Sequence, residues 1–222
     1  MDEFDALNRI MERRYSCRAF HPDPVPRAEI EAVVRTAQKV PSWCNFQPWQ
    51  VIITDTDETD QLRDAMQAAL STPSAPDIQF PSAYEGVYKD RRRECGWQLY
   101  EAVGVAKGDR EGSARQMAEN FRFFGAPHLA LITTPAALGT YGAIDCGAFV
   151  TAFTLAAAAR EIDTIPQAAL AAYAPFFRDR YDIPEDRQFA CGISFGYGDA
   201  SHPANSFRTT RAAPGDVIEW RD

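Results

Sequence analysis

Residues 143–160 place the tightest demand on the fold. The run Gly147-Ala148-Phe149-Val150-Thr151-Ala152-Phe153-Thr154-Leu155 is followed by four alanines and has no polar face. A helix that is apolar nearly all round has to be buried on every side. The stretch is shorter than the roughly 20 residues of a bilayer crossing, so no membrane span is expected. It is also interrupted by Asp145 and two threonines. It therefore reads as the central helix of a domain or the core of a subunit interface. The chain has 222 residues, which fits one large domain or two small ones.

Periodicity supplies the elements around that helix. Phe4, Leu7, Ile10 and Met11 suit one face of an N-terminal helix. Residues 26–39 predict a second helix with Ile30, Val33, Val34 and Ala37 inward, opened by Pro24 and Pro26 and followed by Pro41. Gln50–Thr54 predicts a strand, and Asp55–Asp60 an acidic turn capping a helix that runs to about Leu70. Residues 71–83 read as a loop. Residues 84–107 read as a polar helix bent near Gly96, its Arg91-Arg92-Arg93 run a solvated face. Ser113–Phe124 predicts a helix closed by Gly125, and His128–Thr133 a buried strand. Ile162–Ile165 predicts a short strand ending at Pro166, residues 168–180 a helix, and residues 188–197 a strand. Residues 199–222 form a polar tail without a core signal, ending in an amphipathic piece at 216–220. Such a tail is disordered or pinned to another surface, and Trp220 and Arg211 favour pinning.

Composition excludes several classes of function. A net charge of -8 argues against a general nucleic-acid binder. The basic residues are local islands, which suits a small anion better than a polyanion. The N-terminus is acidic and lacks the apolar run of a signal peptide. Five scattered cysteines and three histidines show neither a CxxC pair nor metal spacing, so they read as buried structural thiols in a reduced, cytoplasmic protein without a metal. There is no GxGxxG opening a helix and no Walker loop, and Gly192-Ile193-Ser194-Phe195-Gly196 lies within a predicted strand instead of at a strand-to-helix elbow. A chain without those motifs leaves difficult chemistry to an organic cofactor.

One island has a pattern. Arg13-Arg14-Tyr15-Ser16-Cys17-Arg18-Ala19-Phe20 follows the first helix. If it is extended, Arg14, Ser16 and Arg18 share one side, and Tyr15, Cys17 and Phe20 mostly the other. Guanidinium forks flanking a hydroxyl make a seat for a phosphate. From these residues alone, a solvated basic helix end is the simpler explanation. Pro41-Ser42-Trp43-Cys44-Asn45-Phe46-Gln47-Pro48-Trp49 is the second dense stretch, too rich in aromatic and turn residues to be a plain linker.

Together the two stretches resemble the nitroreductase family of FMN enzymes, which opens with Arg-x-Ser-x-Arg/Lys-x-Phe and then has Pro-Ser-x-x-Asn-x-Gln-Pro-Trp. Asn120–Pro127, Asp163–Gln167 and Asn205–Arg211 match later segments, so the resemblance covers nearly the whole chain. The Pro-Ser-Trp-Cys-Asn form is most similar to a nitrobenzoate-reductase-like branch. The resemblance implies an α+β fold: a small mixed central sheet covered by helices, in an intertwined homodimer with FMN at the subunit interface. Residues 1–222 would form a single domain, with 199–222 a tail exchanged onto the partner.

The resemblance also implies roles. Arg14, Ser16 and Arg211 would hold the phosphate and ribityl end, and Tyr15 would be a further cofactor contact. Arg208 would add to them, although the family's basic residue aligns more nearly with Thr209. Arg18 would sit near the pyrimidine end of the flavin, where a cation stabilises the reduced ring. Pro41, Ser42, Trp43, Asn45 and Gln47 would come from the partner. Asn120 and Arg122 would meet the pyrimidine, and Pro166, Gln167, Ala168 and Ala169 would offer backbone N–H to N5. The family often has a Glu-Gly pair where this chain has Gln-Ala-Ala. Trp43, Phe123 and Phe124 would line the substrate space, and Tyr84, Tyr88, Trp97 and Tyr100 are placed near its mouth. The implied reaction is ping-pong hydride transfer from NADH or NADPH through flavin N5 to a small nitroaromatic or quinone acceptor, with no catalytic acid or base. A same-fold flavoenzyme with a dehydrogenase, dehalogenase or flavin-degrading activity, a flavin-binding module without turnover, and an acidic interaction dimer are the alternatives.

Overall fold

The computed structural model describes residues 2–221. The helices are α1 (Glu3–Arg13), α2 (Arg27–Ala37), α3 (Thr56–Ala69), α4 (Gly86–Ala102), α5 (Arg110–Ala118), α6 (Gly139–Ala159) and α7 (Ala174–Tyr181). The strands are β1 (Gln50–Ile53), β2 (His128–Pro135), β3 (Asp163–Gln167) and β4 (Arg187–Gly196). Local chemistry fixes the starts of α1 and α3. Asp2 accepts from the Asp5 N–H at 2.7 Å, and Asp55 from the Glu58 N–H at 2.9 Å.

The four strands run in the order β1-β2-β4-β3, and every neighbouring pair is antiparallel. The expected mixed sheet is therefore corrected. The stretch that could have added a parallel strand, residues 14–20, makes only isolated bridges along the β3 edge. Ser16 pairs parallel with Thr164, and Phe20 pairs antiparallel with Gly198.

The sheet is buried on both faces, and the alternation of β2 shows how. Ala130 and Ile132 point into a cluster with Val33, Trp49, Phe149, Phe153 and Phe195 under α2 and α6. Leu129 and Leu131 point into a second cluster with Leu62, Met66, Phe123, Leu170 and Phe177 under α3 and α7. At the start of β2, the buried His128 ties the layers together. Its Nε2 accepts from the Val25 N–H at 2.9 Å, which leaves Nδ1 to donate to the Thr54 carbonyl at 3.0 Å. Burial lowers its pKa, opposed by the Thr54 carbonyl and Asp55, so the neutral ring is the form that fits.

Helix α6 differs from expectation in two ways. It buries Phe149, Phe153 and Ala157 against the sheet, but Tyr141 and Ile144 are more than half exposed, so within this chain it is covered on one side only. With its leading turn it spans 24 residues, long and apolar enough by composition to cross a membrane. Its packing against the sheet, and the buried Asp145 carboxylate that accepts from the Trp43 N–H, are those of a core helix. The leading residues 136–142 supply the length that the apolar run alone lacked.

Other boundaries move for local reasons. Helix α4 continues unbroken through Gly96, which has open space around it. The helix expected over 113–124 begins at Arg110 and ends at Ala118, and residues 119–125 wind on as a 3-10 turn. Residues 168–173 are also 3-10, and α7 restarts with Pro175 in its first turn. The piece at 216–220 is not helical. Only Pro214–Asp216 forms a short turn, and Val217, Ile218 and Trp220 lie exposed.

Candidate active site

The residues after α1 form a strap that presents the arginines. The Cys17 side chain is fully buried, and its N–H donates to the Thr164 carbonyl at 3.0 Å. The Arg18 N–H donates to Asn205 Oδ1 at 2.7 Å, while Asn205 Nδ2 donates to the carbonyls of Ala19 and Asp199. Asn205 is itself buried, so it fastens the start of the tail to the strap. With Cys17 turned inward, alternation sends Arg14, Ser16 and Arg18 outward.

They open into a cavity of about 580 Å³ that is also lined by Tyr15, Phe207, Arg208, Thr209 and Arg211, with Asn8, Met11, Glu12 and Cys95 completing the wall. Arg208 lies over the Tyr15 ring at 3.8 Å, and Arg18 lies 5.6 Å from the Phe207 centroid. Among the described residues, Arg14, Arg18, Arg208 and Arg211 have no carboxylate partner. Burial lowers the pKa of Arg14, and the nearby Arg211 lowers it further. Guanidinium groups gathered without a counterion are the donor set of an anion site.

A second cavity of about 260 Å³ shares Ser16 and Arg18 with the first. Its far wall is Ile165, Pro166, Gln167, Ala168 and Ala169, and its sides carry Leu99, Tyr100, Asn120 and Phe124. The Gln167 side chain is buried and committed elsewhere. Its Nε2 donates to the Asn120 carbonyl at 2.7 Å, and its Oε1 accepts from the Ser194 hydroxyl. Ala168 and Ala169 open a 3-10 turn, so their N–H groups have no acceptor within it.

The turn carrying Asn120 and Phe124 is strained. Phe123 (φ 57°), Phe124 (φ 53°) and Gly125 (φ 76°) are consecutive left-handed residues, and each bulky one costs about 1–3 kcal/mol. Arg63 of α3 holds the turn. Its Nε donates to the Arg122 carbonyl at 2.9 Å, one terminal nitrogen donates to the Ala126 carbonyl at 2.8 Å, and the other pairs with Asp60.

The structure sorts the expected site residues into three groups. Arg14, Tyr15, Ser16, Arg18, Arg208 and Arg211 gather on the first cavity, and Asn120, Pro166, Gln167, Ala168 and Ala169 on the second. Arg122 is not on the second cavity. It lines a third, of about 570 Å³, on the other side of Arg18. Pro41, Ser42, Trp43, Asn45 and Gln47 line none of the three. Trp43 lies instead against Tyr141, with ring centroids 4.6 Å apart.

Phe123 is corrected. It is fully buried in the core, because the left-handed turn drives it under β2, and only Phe124 reaches the cavities. Of the four mid-chain aromatics, Tyr100 lines the second cavity, and Tyr84, Tyr88 and Trp97 do not. Cys95, Gln116 and Phe207 also line these cavities without having been expected there. Phe207 lies within the matched segment Asn205–Arg211, whereas nothing in the local sequence marks Cys95 or Gln116, which long-range packing brings in.

Comparison with known proteins gives a consistent result. Residues 11–197 match the family model described as the nitroreductase family. A nitroreductase, NfnB, of Mycolicibacterium smegmatis is 34% identical over 223 residues, covering 99% of this chain and 94% of that protein. A 4-nitrobenzoate reductase of Pseudomonas putida is 31% identical over 211 residues, covering 95% and 92%. The crystal structure of the FMN-dependent nitroreductase NfnB from Mycobacterium smegmatis in complex with NADPH matches over 100% of both chains, with a TM-score of 0.94 at 32% identity.

Proposed function

Because this chain belongs to the nitroreductase family, we propose that it is an FMN-dependent oxidoreductase that draws on NADH or NADPH and reduces nitroaromatic or quinone acceptors. The observation that carries this reading is the pair of cavities joined at Ser16 and Arg18. One end is a cluster of guanidiniums without carboxylate partners; the other is bounded by aromatic side chains and the backbone of 166–169. That donor set fits a long ligand with a phosphate at one end and a flat polar ring at the other. Arg14, Ser16, Arg208 and Arg211 would take the phosphate. Arg18 would stand beside the ring as a fixed positive charge, favouring the electron-rich state. Pro166–Ala169 would meet the ring edge through backbone. When bound, FMN supplies reversible two-electron chemistry, so the protein's part is to hold, orient and tune.

The reading includes a homodimer. The segment 41–47 carries half of the family's signature, yet it lies apart from the arginine cavities of its own chain. Phe4, Leu7 and Met11 on α1, Tyr141 and Ile144 on α6, and Trp43 and Phe46 are all exposed apolar side chains. A two-fold pairing would cover them and bring segment 41–47 of one subunit to the cavity of the other. In this reading residues 1–222 are one domain whose tail from 199 reaches the partner. All five cysteines are free, which fits a cytoplasmic home, although only Cys17 and Cys146 are buried as expected and Cys44 is exposed.

The test is the visible spectrum of the purified protein, with identification of the flavin released on denaturation, followed by NADPH oxidation with a nitroaromatic. Bound FMN and acceptor-dependent turnover are expected. A protein that neither carries nor takes up FMN refutes the reading. FMN binding without turnover on any nitroaromatic or quinone leaves a flavin-binding module instead.

A further inference from the structure

Arg18 borders all three cavities described above, including the one beyond the proposed flavin site. That third cavity is lined by the buried Phe124 and the half-buried Val103, with the exposed Gly125, Arg122 and His202. Its charges are unequally engaged. Arg63 is occupied by Asp60 and two carbonyls. Arg122 is exposed and approaches Glu119 only to 3.8 Å, too far for a hydrogen bond. Among the described residues, the one protein acceptor for the Arg18 guanidinium is the Ser16 carbonyl, although it has five N–H donors. His202 Nδ1 accepts from the Ala204 N–H, so in the neutral ring the proton is on Nε2, which is a donor.

We infer that this third cavity is an oxyanion subsite, in which Arg122 and Arg18 receive the carboxylate or phosphate of a reactant whose flat body rests on Phe124. The inference rests on the flavoenzyme reading, since it places the subsite next to the proposed ring position. Glu119 competes with the ligand for Arg122, so the two residues have opposite effects. Two reactants could supply the oxyanion: an aromatic acid acting as acceptor, or the 2'-phosphate that distinguishes NADPH from NADH.

The test uses the oxidised holoenzyme and unreactive ligands, so that binding is read without turnover. Benzoate and benzamide are titrated by calorimetry into wild type, Arg122→Gln and Glu119→Gln, and NADP⁺ and NAD⁺ likewise. Arg122→Gln is expected to weaken the anionic member of one pair by about tenfold, as loss of one charge-assisted contact does. The neutral or unphosphorylated member is expected to hold its affinity. Glu119→Gln is expected to tighten the same anionic ligand. A change confined to benzoate assigns the subsite to the acceptor, and one confined to NADP⁺ assigns it to the donor. If neither ratio moves in either variant while the protein retains FMN, the subsite is refuted and the flavin reading stands. If the wild type neither carries nor takes up FMN, the flavin reading itself has failed.

Discussion

Replacing Arg63 with methionine tests whether one guanidinium holds the turn that shapes the site. Methionine keeps the stem of the side chain and removes the fork. Two bonds to main-chain carbonyls are lost, from Nε to Arg122 at 2.9 Å and from a terminal nitrogen to Ala126 at 2.8 Å. Each is a bond from a charged donor, worth about 1.5–3 kcal/mol when well shielded. The Arg63 side chain is 21% exposed, so water recovers part of that loss. The turn it releases also carries two left-handed phenylalanines. Without the fork, their strain of about 1–3 kcal/mol each favours opening. A net loss of ~2–4 kcal/mol follows from these terms. For a chain of this length that lowers Tm by about 5–15 °C. The assay is calorimetric melting at fixed protein and flavin concentrations, because ligand and subunit binding both shift Tm. Asp60→Asn is the control. It removes only the exposed ion pair and should cost about 0–1 kcal/mol. An Arg63→Met protein that melts with the Asp60→Asn control would show that packing alone maintains the turn.

Four further outcomes are expected. Arg14→Ala should weaken FMN by ~10–100-fold, the loss of a charge-assisted contact, and leave riboflavin affinity unchanged; equal weakening of both by fluorescence titration would remove Arg14 from the phosphate. His128 has a lowered folded pKa, so its contribution to stability is complete above the unfolded value of about 6.5 and is lost as pH falls from there toward the folded pKa. Wild-type Tm should therefore drop more steeply than that of His128→Gln below that pH, and parallel curves would contradict the neutral-ring assignment. In Gly198→Ala, the new Cβ would stand 2.5 Å from Asp163 Oδ2 and 2.9 Å from Cys17 Sγ; a loss of about 1–3 kcal/mol and weaker flavin retention should appear together in melts with and without FMN. Ile144→Asp, at an exposed position that lines none of the three cavities, should yield a folded monomer by light scattering with reduced FMN affinity, and a monomer with full affinity would refute completion of the site by a partner.

The parts of the fold that follow from local periodicity were legible in the sequence. The strands at 50, 128 and 187 announce themselves as largely apolar runs bounded by proline, glycine or acidic residues, whereas β3 is a mixed Asp-Thr-Ile-Pro-Gln stretch that continues through Pro166, its expected end. The arginine strap was legible in part: alternation separates the buried Cys17 from Arg14, Ser16 and Arg18, but Tyr15, expected on the Cys17 side, lines the arginine cavity beneath Arg208. Positions set by tertiary contact were hidden. No local signal separates Phe123 from Phe124, yet one is core and the other lines cavities. Gln167 has the polarity of a ligand contact, but Ser194 and the Asn120 carbonyl take up its side chain. The one-sided burial of α6 was hidden as well. An all-apolar helix implies full burial, but not which neighbour provides it, and within one chain its Tyr141 and Ile144 remain exposed.

The turn at 119–125 shows why a regular helix could not build this site. In a continuous α-helix, residues 120, 123 and 124 would share one face and 122 would lie away from them. Both phenylalanines would then point to the same place, toward the core or toward the cavity. The left-handed pair breaks that equivalence. Phe123 turns under β2 beside Leu129 and Leu131, and Phe124 turns out to border two cavities at once. Arg122, between Asn120 and these rings, is directed to the far side of Arg18. Such a conformation persists only where the surroundings over-determine it. Here two independent elements do so, α3 through Arg63 and β3 through Gln167, each by bonds to the main chain of the turn. Arg63 and Gln167 border the cavities as well, but their side-chain donors are spent on the main chain of the turn, which leaves Phe124 and Arg122 free to face a ligand.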